Sequence, residues 1–163
     1  MIERTLVLIK PDGVERGLVG EIISRFEKRG LKIIGIKMVR VNKELAMKHY
    51  TEDISKRRGE IVRKRLMGFI VNNHVIAICL EGIDAVENVR RMVGETEPRA
   101  ALPGTIRGDY AHISYNYADN KGIAIPNLVH ASGSKEEAEK EISLWFSQEE
   151  LFSYESVHDK HVI

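Results

Sequence analysis

The sequence predicts an α+β domain: a ferredoxin-like α/β sandwich with a four-stranded antiparallel sheet under helices. Three observations predict it. Thr5–Ile9 and Val75–Leu80 are short, continuously apolar runs, as expected of strands covered on both faces. Leu31–Val41 alternates, with Ile34, Ile36 and Met38 in step. Segments of helical spacing separate these runs, giving the order β-α-β-(α-α)-β-α-β-α, two βαβ halves.

Each element has its own signal. Lys10-Pro11-Asp12-Gly13 breaks the first strand. Val19, Ile22, Ile23 and Phe26 then fall on one helical face, and Gly30 supplies the stop. Asn42 is placed to cap a short helix running through Tyr50, and Ser55 to start another reaching Ile70. After the third strand, Val86, Val89 and Val93 mark a helix that ends at Gly94. Tyr110–Tyr117 is the fourth strand of this scheme, and Asp119-Asn120-Lys121-Gly122 the tip of an inserted hairpin. Lys135–Phe146 is the last long helix, with Ser134 and Glu137 spaced as a capping box at its start. The whole chain, 1–163, reads as one domain.

Composition narrows the function. With 30% charged and 43% apolar residues the chain has the make-up of a soluble globular protein. A net charge of +1 argues against a globally basic nucleic-acid binder. No apolar segment approaches the roughly 20 residues needed to span a membrane, and the start carries no signal-peptide pattern. The lone Cys79 sits in an apolar run, as a small core residue would, and suits a reducing cytoplasm. The expectation is a compact cytoplasmic domain.

No GxxxxGK[ST] loop, GxGxxG turn or zinc-spaced Cys/His set occurs. Phosphate handling would fall to dispersed cations: Lys10 at the end of the first strand, Arg90, and Arg107 within Thr105-Ile106-Arg107-Gly108-Asp109. Each alone also fits an ordinary surface or ion-pair role. His130 is set apart from the other five histidines (His49, His74, His112, His158 and His161, read as exposed or locally bonded) by its small-residue loop opening a helix. Helix starts favour anions, phosphate among them. Ala138, Ile142 and Trp145 define that helix's apolar face, and Glu141 lies at its edge. A partly buried carboxylate needs a partner; bonded to one nitrogen of His130, it would leave the other free to attack phosphorus. The run Lys56-Arg57-Arg58 with Arg63-Lys64-Arg65 reads either as a solvated helix face or as a phosphate-attracting patch.

Taken together, Lys10-Pro11-Asp12, Tyr50, Arg90 with Gly94-Glu95-Thr96, Pro103-Gly104-Thr105-Ile106-Arg107-Gly108-Asp109, Asn127-x-x-His130 and Glu141-x-x-x-Trp145-Phe146 resemble the nucleoside diphosphate kinase family, in its order. The resemblance covers Arg4 to about Leu151. It implies transfer of the γ-phosphate of a nucleoside triphosphate, typically ATP, to a nucleoside diphosphate through a phosphohistidine at His130. It implies phosphate and ribose contacts from Lys10, Arg90, Thr96, Arg107 and Asn127. Tyr50 and Glu141 would support the histidine, with Ser132 beside it, and Lys10 would also serve catalysis. Counting back from the third strand puts Val62 and Leu66 at the base clamp, Val62 where the family often has phenylalanine.

The match departs at Gly133, where the family reads aspartate, and carries insertions after Tyr50 and after Arg107. Mg²⁺ is expected on the nucleotide phosphates, with no protein metal site, and the assembly is expected to be a homo-oligomer, hexamer or tetramer. The rival reading is a non-catalytic nucleotide-sensing or nucleic-acid-binding module on the same fold.

Overall fold

The computed structural model describes residues 1–157 and 159–162; His158 lies outside the described residues. The elements begin β1 (Ile2–Ile9), α1 (Pro11–Glu15), α2 (Val19–Lys28), β2 (Lys32–Arg40), α3 (Lys43–His49), α4 (Glu52–Arg58), α5 (Glu60–Ile70) and β3 (His74–Ile83). They continue with α6 (Ala85–Val93), α7 (Ile106–Tyr110), α8 (Tyr115–Lys121), β4 (Val129–Ala131), α9 (Lys135–Trp145) and α10 (Asp159–Val162). The strands form one sheet in the order β2-β3-β1-β4, with each neighbouring pair antiparallel. This is the ferredoxin-like α+β sheet that the pattern predicts.

Strand periodicity divides the core between the two faces of the sheet. Leu6 and Leu8 of β1 pack with Ala46, Ile70, Ala138 and Trp145, beneath α3, α5 and α9. Val7 and Ile9 point the other way, onto Ile22, Phe26, Val89 and Ile106 of α2, α6 and α7. Cys79 is fully buried in the first of these clusters. Asn42 caps α3 by accepting the Leu45 N–H at 2.8 Å.

The fourth strand is not where the pattern put it. Tyr110 ends α7, and Ser114 then accepts the Tyr117 N–H to start α8. Asp119–Gly122 is thus the close of a helix, not the tip of a hairpin. The β preference of Tyr115 and Tyr117 yields to a good N-cap. The fourth strand is Val129–Ala131, three residues that pair Leu8 with His130 at the middle of the β1 contact. Such a segment is too short to show alternation. The expected single helix Ser55–Ile70 is also broken: Gly59, at φ +92°, separates α4 from α5.

Candidate active site

β4 and the end of β1 bring Lys10 and His130 to the same cleft, whose volume is about 1360 Å³. Lys10, Tyr50, Arg90 and Thr96 line it, as do Arg107, Asn127, His130 and Glu141. Ser132 lies behind this wall, fully buried. Leu66 lines the outer part of the cleft, but Val62 does not. Ile54, Arg57 and Arg58 of α4 line it as well.

His130 is held from one side. Its Nε2 is 2.8 Å from Glu141 Oε1, while Ser132 Oγ donates to Glu141 Oε2 at 2.6 Å. Both carboxylate oxygens are therefore engaged. Burial pushes the Glu141 carboxyl up, but the hydrogen bond and charge of His130 overcome it, and the pKa lies below its ordinary value. With the Nε2 proton directed at Glu141, Nδ1 keeps its lone pair.

The loop before His130 is strained. Val129 N–H donates to Asn127 O at 2.8 Å across Leu128, whose φ is +71°. That is a γ-turn in a conformation unfavourable to leucine. Three contacts from the β1 end hold it: Lys10 N–H to Leu128 O (2.8 Å), Leu128 N–H to Asp12 Oδ2 (2.8 Å), and Lys10 Nζ to Asn127 Oδ1 (2.7 Å). Asn127 Nδ2 in turn donates to Thr96 O at 2.8 Å.

The three cations differ in their ties. Lys10 is buried, and burial lowers its pKa to about 8, with Asp12 opposing and Arg107 assisting the shift. Arg107 donates to Asn127 O (3.1 Å), Gly94 O (2.9 Å) and Val129 O (2.5 Å), so it ties the end of α6 to the segment that enters β4. Burial brings its pKa down to about 10. Gly94 permits this approach: its φ is +86°, and a Cβ there would lie 2.5 Å from Thr105 Oγ1. Arg90 makes no hydrogen bond or ion pair to another described residue, which leaves its guanidinium for a ligand.

The predicted capping box is only half formed. Ser134 Oγ accepts the Glu137 N–H at 3.2 Å, but the Glu137 carboxylate turns to the Gly133 N–H. A Cβ at Gly133 would lie 2.5 Å from Glu137 Oε2. Gly133 therefore goes with an acid supplied from one helical turn later. The basic run breaks up as well: Arg57 pairs with Asp53 (2.6 Å), Arg65 with Asp119 (2.8 Å), and Arg63 Nε donates to Tyr50 O (2.8 Å).

His49, expected to be exposed or locally bonded, is buried against the site. Its ring stands edge-on to His130, with centroids 4.6 Å apart. Only its adjacency to Tyr50 in the chain could have hinted at this.

A protein-family model described as Nucleoside diphosphate kinase matches residues 3–151. A nucleoside diphosphate kinase from Pyrococcus horikoshii is 54% identical over 157 residues, covering 96% of this chain and 93% of the relative. A solved transition-state mimic of nucleoside-diphosphate kinase from Borrelia burgdorferi, with bound vanadate and ADP, is 42% identical. It has a TM-score of 0.97, covering 99% of this chain and 96% of that one. A halophilic nucleoside diphosphate kinase from Halobacterium salinarum in complex with CDP has a TM-score of 0.83 at 38% identity, covering 98% and 97%. A cleft lined by dispersed cations around a carboxylate-held histidine, on this sheet and with these matches, leaves one conclusion: the chain belongs to the nucleoside diphosphate kinase family.

Proposed function

We propose that His130 is the residue through which this nucleoside diphosphate kinase passes phosphate from one nucleotide to the next. The observation that carries the reading is the 2.8 Å contact of His130 Nε2 with Glu141 in a cleft lined by Lys10, Arg90 and Arg107. The Nδ1 lone pair attacks the γ-phosphorus of a nucleoside triphosphate. An N–P bond forms, the bond from phosphorus to the β,γ-bridging oxygen breaks, and the diphosphate leaves with that electron pair. A second diphosphate then attacks the phosphohistidine and restores the ring. Glu141 balances the positive charge that the ring acquires, and the cations stabilise charge on the moving phosphoryl group.

Thr96 and Asn127 supply phosphate and ribose contacts, Tyr50 and Ser132 support the histidine and its carboxylate, and Leu66 gives the base an apolar surface. The Borrelia burgdorferi structure, with vanadate and ADP, supports phosphoryl transfer on this fold. Among the described residues, the His/Cys/Asp/Glu group with metal-ligating spacing is His49, His130 and Glu141. Two of its three donors are imidazole nitrogens, which do not suit Mg²⁺, a cation that prefers octahedral oxygen. Mg²⁺ enters on the nucleotide phosphates, as part of the substrate.

Residues 1–163 act as one domain in the cytoplasm, assembled as a hexamer or tetramer. Exposed Ile36 and Met38 on the outer strand β2 support such an assembly. No described helix is long and apolar enough to cross a membrane. The nucleic-acid reading is weakened, since three of the six residues of the basic run, Arg57, Arg63 and Arg65, are bonded within the protein. Incubation with γ-labelled ATP tests the proposal: acid-labile, base-stable label should map to His130 and be released by added diphosphate. Label on any other residue would overturn it.

A further inference from the structure

His49 is an expensive way to fill its site. Its side chain is 1% exposed and packs against Tyr50, His130 and Trp145. Trp145 Nε1–H donates to His49 Nδ1 at 3.3 Å, so the proton of the neutral ring sits on Nε2. That Nε2 is buried and has no hydrogen-bond partner. An apolar ring would occupy the same volume without an orphaned donor. Packing alone therefore does not explain an imidazole here.

The neighbouring carboxylate makes the tautomer of this ring matter. His49 Nδ1 lies 3.7 Å from Glu141 Oε1, the same oxygen that holds His130 Nε2 at 2.8 Å. A proton on His49 Nδ1 would make it a second, cationic claimant for that oxygen. The Trp145 N–H occupies the position where this proton would go. Trp145 and Glu141 are four residues apart on α9, so one helical face presents both the carboxylate and the group that keeps His49 off it. We propose that Trp145 is a positioning residue: by holding His49 Nδ1 as an acceptor it reserves the Glu141 carboxylate for His130. The inference rests on His130 being the phosphorylated residue.

The surrounding groups agree with this role. Facing His49 are His130 from β4, Glu141 from α9, Lys10 from the end of β1, and Tyr50 next to it in the chain. Burial, helped by His130 and Lys10 and opposed by Glu141, lowers the His49 pKa to about 3. His49 thus stays neutral through the range in which the enzyme would work.

The test uses the whole protein labelled with ¹⁵N-histidine, together with Trp145→Phe and the double variant His49→Phe/Trp145→Phe. In the parent, His49 should show the neutral Nε2–H tautomer down to pH 5, a measurement that needs no substitution. In Trp145→Phe the freed Nδ1 can take a proton bonded to Glu141 Oε1, a charge-assisted contact that offsets the burial cost, and His49 should become protonated on acidification. Phosphate loading from ATP should then fall about threefold or more between pH 7.5 and 5.5, beyond the parent's own change. The double variant should regain the parent's pH profile, because no second claimant remains. A parent His49 that carries its proton on Nδ1 or titrates above pH 5 would overturn the proposal. So would a Trp145→Phe profile that superimposes on the parent's, or a double variant that keeps the acid fall. Label found away from His130 would instead reject the underlying reading, and the His49 tautomer would be unaffected by it.

Discussion

Glu141 binds His130 through one oxygen and Ser132 through the other, at 2.8 and 2.6 Å. A carboxylate so tied has little freedom to turn, and the imidazole it holds has little freedom to rotate. His130→Ala should abolish ATP-to-diphosphate exchange. Glu141→Gln keeps the shape but gives up a hydrogen bond to a charged group, an interaction worth about 1.5–3 kcal/mol, so turnover should fall about 10- to 100-fold. Stability should respond as well. Because its folded pKa lies below its ordinary value, Glu141 stabilises the fold above the ordinary carboxyl range. That contribution disappears as pH falls through the lowered value. Exchange assays and acid melting curves of the two variants check both statements.

Lys10 works in the opposite sense. Burial lowers its pKa from 10.5 to about 8, a shift of about 2.5 (10.5 − 8), or about 3 kcal/mol. Below pH 8 the ammonium is charged in both folded and unfolded chains, and the folded state bears the full desolvation penalty. The penalty fades as pH rises from 8 to 10.5, so this group makes the free protein more stable in that window. Lys10→Met should therefore hold or raise the melting temperature at pH 7, even though methionine cannot donate to Asn127 Oδ1 as Lys10 Nζ does. The same variant should lose about 2–4 kcal/mol of transition-state stabilisation in kcat/KM. A variant that melts well below the parent while exchanging normally would contradict both halves.

Arg107 should couple fold and activity, unlike Arg90. Its guanidinium satisfies the carbonyls of Gly94, Asn127 and Val129. Arg107→Ala leaves three acceptors in a buried place and should cost about 2–4 kcal/mol of stability along with activity. Arg90, with no such ties, should cost activity alone. Denaturant unfolding of the two alanine variants separates them: equal midpoints would mean that the Arg107 hydrogen bonds carry no weight.

How much of this was legible in the sequence follows from how local each signal is. Leu6–Ile9 and Val75–Leu80 announce themselves because an apolar run buried on both faces needs nothing else to be recognised. Val129–Ala131 does not, since three residues make a strand only by pairing with β1. Tyr110–Tyr117 misled because aromatic β preference is weaker than the Ser114 cap. In the site, Glu141 could be matched to His130 because a carboxylate at the edge of an apolar helix face needs a partner, and the loop at that helix's entrance offers one. His49 could not: its contacts with Trp145, Glu141 and His130 span α3, α9 and β4, and no spacing in the chain reports them. Counting back from the third strand places Val62 in the base clamp, but the cleft is lined by Leu66 and not by Val62; α4, which that count does not include, contributes Ile54, Arg57 and Arg58.

Base selectivity should be weak. The outer cleft offers the base Ile54 and Leu66, apolar surfaces without donors or acceptors, and every base has a face to lay against them. Contact of this kind discriminates by only about 1–3 kcal/mol, whereas buried polar readout can exceed 10⁴-fold. Arg57 and Arg58 also border this region, but both are exposed and Arg57 is tied to Asp53, so water competes for their hydrogen bonds. Of the buried polar groups lining the cleft, Lys10, Arg107 and Asn127 cluster with Thr96 around the γ-turn before His130, where phosphate and ribose would lie, and His49 and Glu141 lie against His130 itself. The γ-turn cluster would bind purine and pyrimidine nucleotides alike. With ATP, GTP, CTP and UTP as donors under one condition, kcat/KM should stay within about 10³-fold. A wider spread would require a buried group that reads the base edge, and Ile54 and Leu66 cannot be that group.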